Sequence, residues 1–394
     1  MLFISVPPVD LPPLQKSKWD LTPVVEVRER LERRDERDLS SLTDDDRGEL
    51  GSRYRLGVDF NNKAGVGGRF RYQFAHSLIN TRARNFSDEH SDVYLAHVDF
   101  ARPEGLFSAG RQVVRKGGMR LFEESNFGQR SKSFDLVRFT GKGLDLFAGK
   151  VGYSGNRSDQ ARLVGGSYAG PWGETLIVYK HDRWLSNQNF WTFDHRIDRP
   201  AGKGRFAVEG AFQRGTSGGR ETRGWWLHGR ITHPTSKKTT MYLEANAASG
   251  GGDANVSHAF EPLYGTTHSV YGFSDLQGLR NMNHVEMGVT HQVNPRLEMQ
   301  ASVHKFELRD ARDGWYDTGG RINRRPGGLY QDPTGSSGRD TGFELNLLTR
   351  YKLSTRETLQ LELAVFKPGG FQRNLAGGTA RDQLWGLLTY VYRL

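Results

Sequence analysis

The chain has 394 residues and no cysteine, and only 36% of its residues are hydrophobic. No run approaches 18 consecutive apolar residues, which excludes a transmembrane helix. The net charge of +10 comes from 55 Lys and Arg against 45 Asp and Glu, and the basic residues recur singly along the chain. This spacing favours a charged lumen over a nucleic-acid patch, which requires a clustered basic face.

Apolar and polar residues alternate with a period of two. Between residues 53 and 60, Tyr, Leu, Val and Phe alternate with Arg, Arg, Gly and Asp. Residues 69–74 repeat the arrangement, with three aromatic residues set against two arginines and a glutamine. Successive side chains of a strand point to opposite faces, so each such segment has an oily face and a charged face. The mean hydropathy of −0.65 does not exclude a membrane, because a barrel strand needs only every second residue to be apolar.

Eighteen segments of this kind follow one another, joined by connections that alternate loosely between short and long. They lie near residues 24–35, 52–62, 67–79, 91–101, 105–113, 133–141, 144–154, 160–169, 174–184, 189–198, 204–214, 223–233, 239–248, 281–293, 297–309, 340–353, 357–367 and 382–394. The predicted fold class is all-β: a transmembrane antiparallel β-barrel of about 18 strands with short periplasmic turns and long extracellular loops.

A soluble all-β protein is the alternative, since a sandwich or propeller also alternates. The oily parity is aromatic-rich in strand after strand, however, and the other parity carries too many charges for a dry core. The barrel is therefore favoured. Its predicted organisation is an N-terminal segment at 1–22, extended or plugging the barrel, followed by a single 18-stranded barrel at 23–394.

The two ends of the sequence bear on export. Residues 1–8 lack the basic region and the apolar core of a signal peptide. Either the true start lies upstream, or the signal is lost from this sequence, or the membrane interpretation is wrong. In the last segment, alternate residues from Leu384 to Leu394 share one apolar face. This resembles the C-terminal insertion signal of outer-membrane barrels, although that signal usually ends in Phe. The predicted location is the outer membrane of a Gram-negative bacterium.

Five stretches, in order, resemble the alginate-export family of outer-membrane barrels. They are Gly110-Arg111-Gln112 before a loop containing Arg120-Leu121-Phe122, the strand SFDLVR at 133–138, LEANAASG at 243–250, FEPLYGTTH at 260–268 continuing into YGFSDL at 271–276, and GFELN at 342–346. The resemblance covers about residue 50 to the end. It implies an eighteen-stranded barrel and the export of alginate, an anionic polysaccharide, through an electropositive pore.

The candidate substrate-pathway residues are arginines, because a guanidinium is permanently charged and forks to a carboxylate. Most lie opposite the apolar parity of their strand, whereas the assignment of Arg111 rests mainly on the family resemblance. The candidates are Arg53, Arg55, Arg69, Arg71, Arg111, Arg138, Arg196, Arg230 and Arg350.

Carboxylates on the same inward parity are expected to hold the arginines upright and to prevent a polyanion from binding too tightly. They are Asp59, Asp194, Glu209, Glu244, Glu286, Glu344 and Glu362. The alternative is that these charges only solvate a wide pore. The loops at 249–280 and 310–339 are long for structureless segments, and either could fold inward to narrow the lumen or remain extracellular.

Two further functions compete with polysaccharide export. One is a general anion-selective or small-substrate porin, which shares the fold and the lumen charge. The other is an outer-membrane enzyme, which is disfavoured because there is no GxSxG or HExxH motif. The expected partners are outer-membrane lipid, anionic polysaccharide or small anions, and periplasmic secretion components. No catalytic residue, metal, cofactor or nucleic acid is predicted.

Overall fold

The computed structural model describes residues 18–81, 84–153, 160–183 and 187–394. Within these residues, eighteen long strands form one antiparallel sheet. In chain order they are β1 Trp19–Arg34, β2 Arg47–Asn62, β3 Val66–Thr81, β4 Asn85–Arg102, β5 Gly105–Gln112, β6 Ser133–Gly141, β7 Leu144–Tyr153, β8 Arg162–Gly170, β9 Gly173–Asp182, β10 Gln188–Ala201, β11 Gly204–Ser217, β12 Trp225–Pro234, β13 Thr239–Ala248, β14 Met282–Asn294, β15 Leu297–Glu307, β16 Asp340–Lys352, β17 Glu357–Lys367 and β18 Gln383–Arg393.

The sheet closes on itself because β1 pairs with β18, from Glu26 opposite Arg393 to Arg34 opposite Trp385. Closure pairs the backbone groups of every strand, so the sheet presents no open edge to lipid. The predicted eighteen-stranded barrel is confirmed, with β1 beginning at residue 19 rather than near 24. Most of the predicted N-terminal segment at 1–22 lies outside the described residues, which begin at 18.

The barrel is inverted relative to a water-soluble protein, with apolar side chains outside and charged ones inside. On β2, Leu50, Tyr54 and Leu56 are exposed, whereas Arg53 and Arg55 on the opposite parity are buried. The same alternation continues to β18, where Leu384 and Leu388 are exposed. Because lipid covers the outer face in a membrane, these exposed apolar residues form the surface that contacts acyl chains.

Short turns occupy one end of the barrel. The turn between β2 and β3 is held by the side chain of Asn62, whose Oδ1 accepts hydrogen bonds from the backbone N–H groups of Ala64 and Val66, each at 3.0 Å. Gly65 in this turn has a φ of 77°, a conformation that suits glycine. The opposite end carries the long connections, a pair of two-residue strands at Arg324–Arg325 and Gly328–Leu329, and one helix at Gly370–Ala376. No helix of the described residues is long and apolar enough to cross a membrane.

The long connections at 113–132 and 249–281 fold into the barrel and form its main apolar cluster. The ring of Phe122 lies within 6.0 Å of the rings of Phe134 and Phe147 on the barrel wall, and 5.8 Å from Tyr264 of the other connection. Both Phe122 and Phe134 are fully buried. The 310–339 connection adds Trp315, which stacks on Phe366 at 5.8 Å. Apolar packing therefore lies between the loops and the wall.

We expect Phe122→Ala to loosen the inward connection at 113–132. Emptying a fully buried phenylalanine site costs about 3–5 kcal/mol. Hydrogen–deuterium exchange should therefore show a local opening free energy for residues 119–124 that is lower by about this amount. The matched control is Phe70→Ala, which removes an outward, half-exposed ring and should leave this exchange unchanged. Equal protection in wild type and Phe122→Ala would contradict the packing described.

Candidate functional site: the barrel interior

Four arginines of β1 and β2 hold the connection at 113–132 against the wall. Arg53 donates to the carbonyl oxygens of Asn126 and Gly128 at 3.1 and 3.0 Å, and it forms an ion pair of 2.6 Å with Glu26. Arg28 donates to the Asn126 and Gly128 carbonyls at 2.6 and 2.8 Å, and Arg30 to the Phe127 carbonyl. The guanidinium groups thus satisfy loop carbonyls that have no strand partner.

Arg55 also binds the connection at 113–132. Its guanidinium donates to the side chains of Gln73, Asn126 and Ser131 and lies over the ring of Tyr94 at 4.0 Å. The side chain of Arg53 is fully buried and that of Arg55 is 8% exposed. Sequence reasoning proposed both for substrate contact, but in this conformation both fasten a loop.

The two inward connections are joined through Tyr264. Its N–H donates to the Leu121 carbonyl at 2.7 Å, and its own carbonyl accepts from the N–H of Glu123 at 3.1 Å. Lys132 donates to the carbonyls of Tyr264 and Gly265. Burial lowers the pKa of Lys132 to about 8, although the negative charge of Glu123 acts in the opposite direction. The two connections are therefore hydrogen-bonded to each other inside the barrel.

His268 fastens the second connection to β17. Its two ring nitrogens lie 2.9 Å from Asp275 and 2.8 Å from Glu362, and its ring stacks on Phe127 at 3.5 Å. Burial lowers the pKa of His268, but the two carboxylates outweigh burial and raise it to about 9. A protonated imidazole between two carboxylates thus ties the loop at 249–281 to the wall.

Each of the predicted carboxylates lies on the inward parity, and several meet a loop. Glu344 accepts hydrogen bonds from the N–H groups of Phe273 and Ser274 at 2.6 and 3.1 Å. Glu244 is fully buried between Arg120 of the first connection at 2.5 Å and Arg230 at 2.8 Å. The remaining positions are Asp59 beside Arg71, Asp194 buried on β10, Glu209 beside Arg196, Glu286 bonded to Tyr242, and Glu362 beside His268.

Five of the predicted arginines lie on the inward parity within five residues of the short-turn end of their strands, and their side chains are partly exposed. The exposed fractions are 57% for Arg69, 20% for Arg138, 30% for Arg196, 36% for Arg230 and 40% for Arg350. Each has a carboxylate within 4.0 Å on its own or a neighbouring strand. Arg71 lies deeper and is buried against Asp59. Among the predicted inward arginines, those that stay partly exposed therefore lie in the short-turn half.

Arg111 is not among the inward arginines. It lies directly opposite Asp135 on β6 and forms a two-pronged ion pair with it, at 2.7 and 3.0 Å. Directly opposite residues of antiparallel strands share a face, and this face also carries the exposed Phe107 and Val137. Arg111 therefore points outward, and its sequence-based assignment to the lumen is corrected by the strand register.

The structure also brings together two histidines that the sequence places on separate strands. His284 Nε2 and His304 Nδ1 are 3.0 Å apart, and Glu286 offers a further ligand atom within 4.8 Å. Asn246, Asn346 and Ser302 already supply hydrogen bonds to these two rings. The group has the chemistry of a metal site but also the partners of a buried polar network.

Sequence reasoning did not predict the hydrogen-bond and ion-pair partners through which the loops are held by Arg28, Arg30, Arg120, Lys132 and His268. For Arg28 and Arg30, the alternation in β1 could have indicated an inward position. Both share a face with Glu26, whereas Val25, Val27 and Glu29 lie on the other face. No sequence signal reveals the partners of the other three. They lie in connections, where period-two alternation does not apply.

A closed antiparallel barrel with an apolar exterior and a charged interior defines an outer-membrane channel. Solved structures share this fold. Pseudomonas aeruginosa OccK5 (OpdH) has 15% identity and a TM-score of 0.63, covering 95% of this chain and 98% of that one. P. aeruginosa OprD has 14% identity and a TM-score of 0.60, with coverage of 95% and 93%. P. aeruginosa OccK2 (OpdF) in complex with glucuronate has 12% identity and a TM-score of 0.62, with coverage of 95% and 96%.

The family follows from the sequence. The alginate-export family profile matches residues 180–386, which is more than half of the chain, so the protein belongs to the alginate-export family. The predicted family is thereby confirmed, and the match contains three of the five motifs, those at 243–250, 260–276 and 342–346. The predicted location in the bacterial outer membrane is confirmed as well. A search of curated proteins gave no match.

Replacing Arg53 with Gln tests whether this side chain holds the first connection. Gln cannot reach all the carbonyls that Arg53 serves, and removing one partner of a buried ion pair costs about 3–5 kcal/mol. We expect faster hydrogen exchange across residues 124–131, and larger and noisier single-channel currents in a planar bilayer.

The matched control for this change is Arg214→Gln, which removes an outward side chain that is 62% exposed. Its currents should match those of wild type. Unchanged currents and unchanged exchange in Arg53→Gln would show that the loop is held by other contacts.

The pKa of His268 predicts that high pH loosens the second connection. The ordinary pKa of a histidine is about 6.5, and folding raises it to about 9. The stabilisation is therefore complete below pH about 6.5 and is lost as the pH rises through about 9. Exchange of residues 266–276 should accelerate from pH 7 to pH 10 beyond the intrinsic chemical rate. His268→Gln should be loose at every pH; an identical pH profile in both proteins would disprove the ion-pair role.

Proposed function

We propose that this channel conducts anionic saccharides bearing uronate carboxylates. The observation that carries the proposal is the set of partly exposed arginines on the inward face of the short-turn half, each held near a carboxylate. A sugar carboxylate entering this region would exchange hydration for guanidinium contacts. Arginine suits the task because it stays charged and can fork to a carboxylate.

The neighbouring carboxylates would make the binding reversible. Arg350 lies 2.8 Å from Glu298, and Arg196 lies 2.6 Å from Asp198. A passing anion must share each guanidinium with these partners, which limits how tightly it is held. Conduction requires binding that is favourable enough for entry and weak enough for release. The mixture of signs therefore supports passage of the anion rather than its capture.

The comparisons support the same substrate class. The family takes its name from alginate export, and one structural neighbour, P. aeruginosa OccK2 (OpdF), was solved in complex with glucuronate. Both solutes are uronates, which carry one carboxylate per sugar. The shared chemistry is a carboxylated sugar, and we propose alginate-like polymer as the principal solute of this channel.

A second candidate is a porin for small anions. The inward connections at 113–132 and 249–281 and the side chains that hold them occupy the long-loop half of the interior. A passage narrowed in this way favours single sugars over chains. Polymer passage then requires that these connections move, and the length of the blocking solute distinguishes the two candidates.

Planar-bilayer recordings test the proposal directly. We expect anion-selective currents that oligouronates block from the short-turn side, and the block should weaken as salt screens the charges. Block that strengthens with chain length supports the polymer. Equal block by glucuronate and by oligouronate supports the small-anion porin. Weak anion selectivity, with no block by glucuronate or oligouronate, would contradict both candidate functions.

Variants of the exposed arginines locate the solute contact. Arg69→Gln combined with Arg350→Gln should weaken oligouronate block by roughly two- to fivefold for each contact removed, because a screened ion pair contributes about 0.5–1 kcal/mol. The matched control is Arg214→Gln on the outward face, which removes the same charge away from the lumen. Equal loss in the control would indicate a general effect of net charge instead of a pathway contact.

A further inference from the structure

A strip of polar residues crosses the outward face of β5 to β9. The register pairs each member directly with the next across adjacent strands, which places all of them on one face. In order, the outward strip is Arg111, Asp135, Lys150, Arg162 and His181. Its face is the apolar exterior, because the exposed residues Val137, Leu146 and Val164 share its parity.

Lys150 and Arg162 in the middle of the strip are an unusual pair. They are directly opposite each other and both are exposed. No ion pair joins either one to a carboxylate among the described residues, whereas Arg111 is matched by Asp135. Like charges facing each other across a sheet are destabilising. An anion from outside the protein would remove that repulsion.

The strip lies on the long-loop side of an apolar band, which carries an aromatic pair on β9 and β10. On β7 the outward positions run Leu144, Leu146 and Ala148 before Lys150. Tyr179 is the next outward residue from His181 towards the short turns, and its ring lies 4.9 Å from the ring of Trp191 on β10. Aromatic belts mark the level at which acyl chains give way to headgroups. The cations therefore lie beyond the apolar band and this aromatic pair, in the order expected for headgroup contact.

We propose that Lys150 and Arg162 bind a phosphate group of a phosphorylated glycolipid in the leaflet on the long-loop side. Arginine can fork to two phosphate oxygens, and lysine adds a compact positive charge. The acyl chains of the same lipid lie along Leu146 and Val164, which are exposed on the two strands that carry the cations. The cations and the apolar residues therefore follow one another along these strands in the same order as the phosphate and the acyl chains of one lipid.

The test compares lipid A that carries two phosphates with its dephosphorylated form, using native mass spectrometry of the detergent-solubilised barrel. Each basic residue near a charged membrane surface strengthens binding about fivefold, so losing two cations predicts about thirtyfold weakening. Wild type should bind the phosphorylated lipid at least about tenfold more tightly than the dephosphorylated one. Lys150→Gln combined with Arg162→Gln should abolish this preference.

The matched control is Lys142→Gln combined with Lys203→Gln, which removes two exposed lysines from short turns at the opposite end. Its lipid preference should equal that of wild type. Both double variants should migrate as folded barrels in unboiled gel samples, since every altered side chain is exposed. Equal preference in the Lys150/Arg162 variant and wild type would overturn the proposal. Complete displacement of the lipid by millimolar inorganic phosphate would also overturn it, because a free anion would then suffice.

Discussion

Closure of the antiparallel sheet is the constraint on which the rest of the structure depends. Lipid offers no hydrogen bonds, so every strand must pair on both sides, and β1 must meet β18. Once the ring closes, the period-two alternation of each strand sends one parity to lipid and the other to the interior. Charged residues are thereby enclosed, and each must find water, a counter-ion or a backbone partner.

The interior meets this requirement differently in its two halves. In the half of the interior near the long loops, Arg28 and Arg53 donate hydrogen bonds to loop carbonyls, and Arg120 pairs with Glu244. The charged groups there stabilise the inward loops. Towards the short turns, Arg69 and Arg350 keep much of their surface exposed. Arginine on the inward face therefore either holds a loop or stays exposed, where we propose that it contacts solute, according to whether an inward loop covers it.

Strand number, parity and family could be predicted from the sequence because each depends on a local signal. Alternation from Arg53 to Phe60 defines a face without knowledge of any partner, and eighteen repetitions define the barrel. The contact between His268 and Glu362 joins residues 94 positions apart and follows from loop folding, which has no period. Arg111 illustrates the intermediate case: its strand reads Gly-Leu-Phe-Ser-Ala-Gly-Arg-Gln, where small residues weaken the alternation, and only the register with Asp135 fixed its face.

The absence of cysteine permits a direct measurement of which parity meets water. Single cysteines introduced at Arg69 and at Leu56, in protein reconstituted into lipid bilayers, can be exposed to a charged, membrane-impermeant thiol reagent. The account predicts rapid labelling at position 69, slowed by oligouronate, and protection at position 56. Rapid labelling at 56 with protection at 69 would contradict it, since the charged parity would then be buried away from water and no solute could follow it.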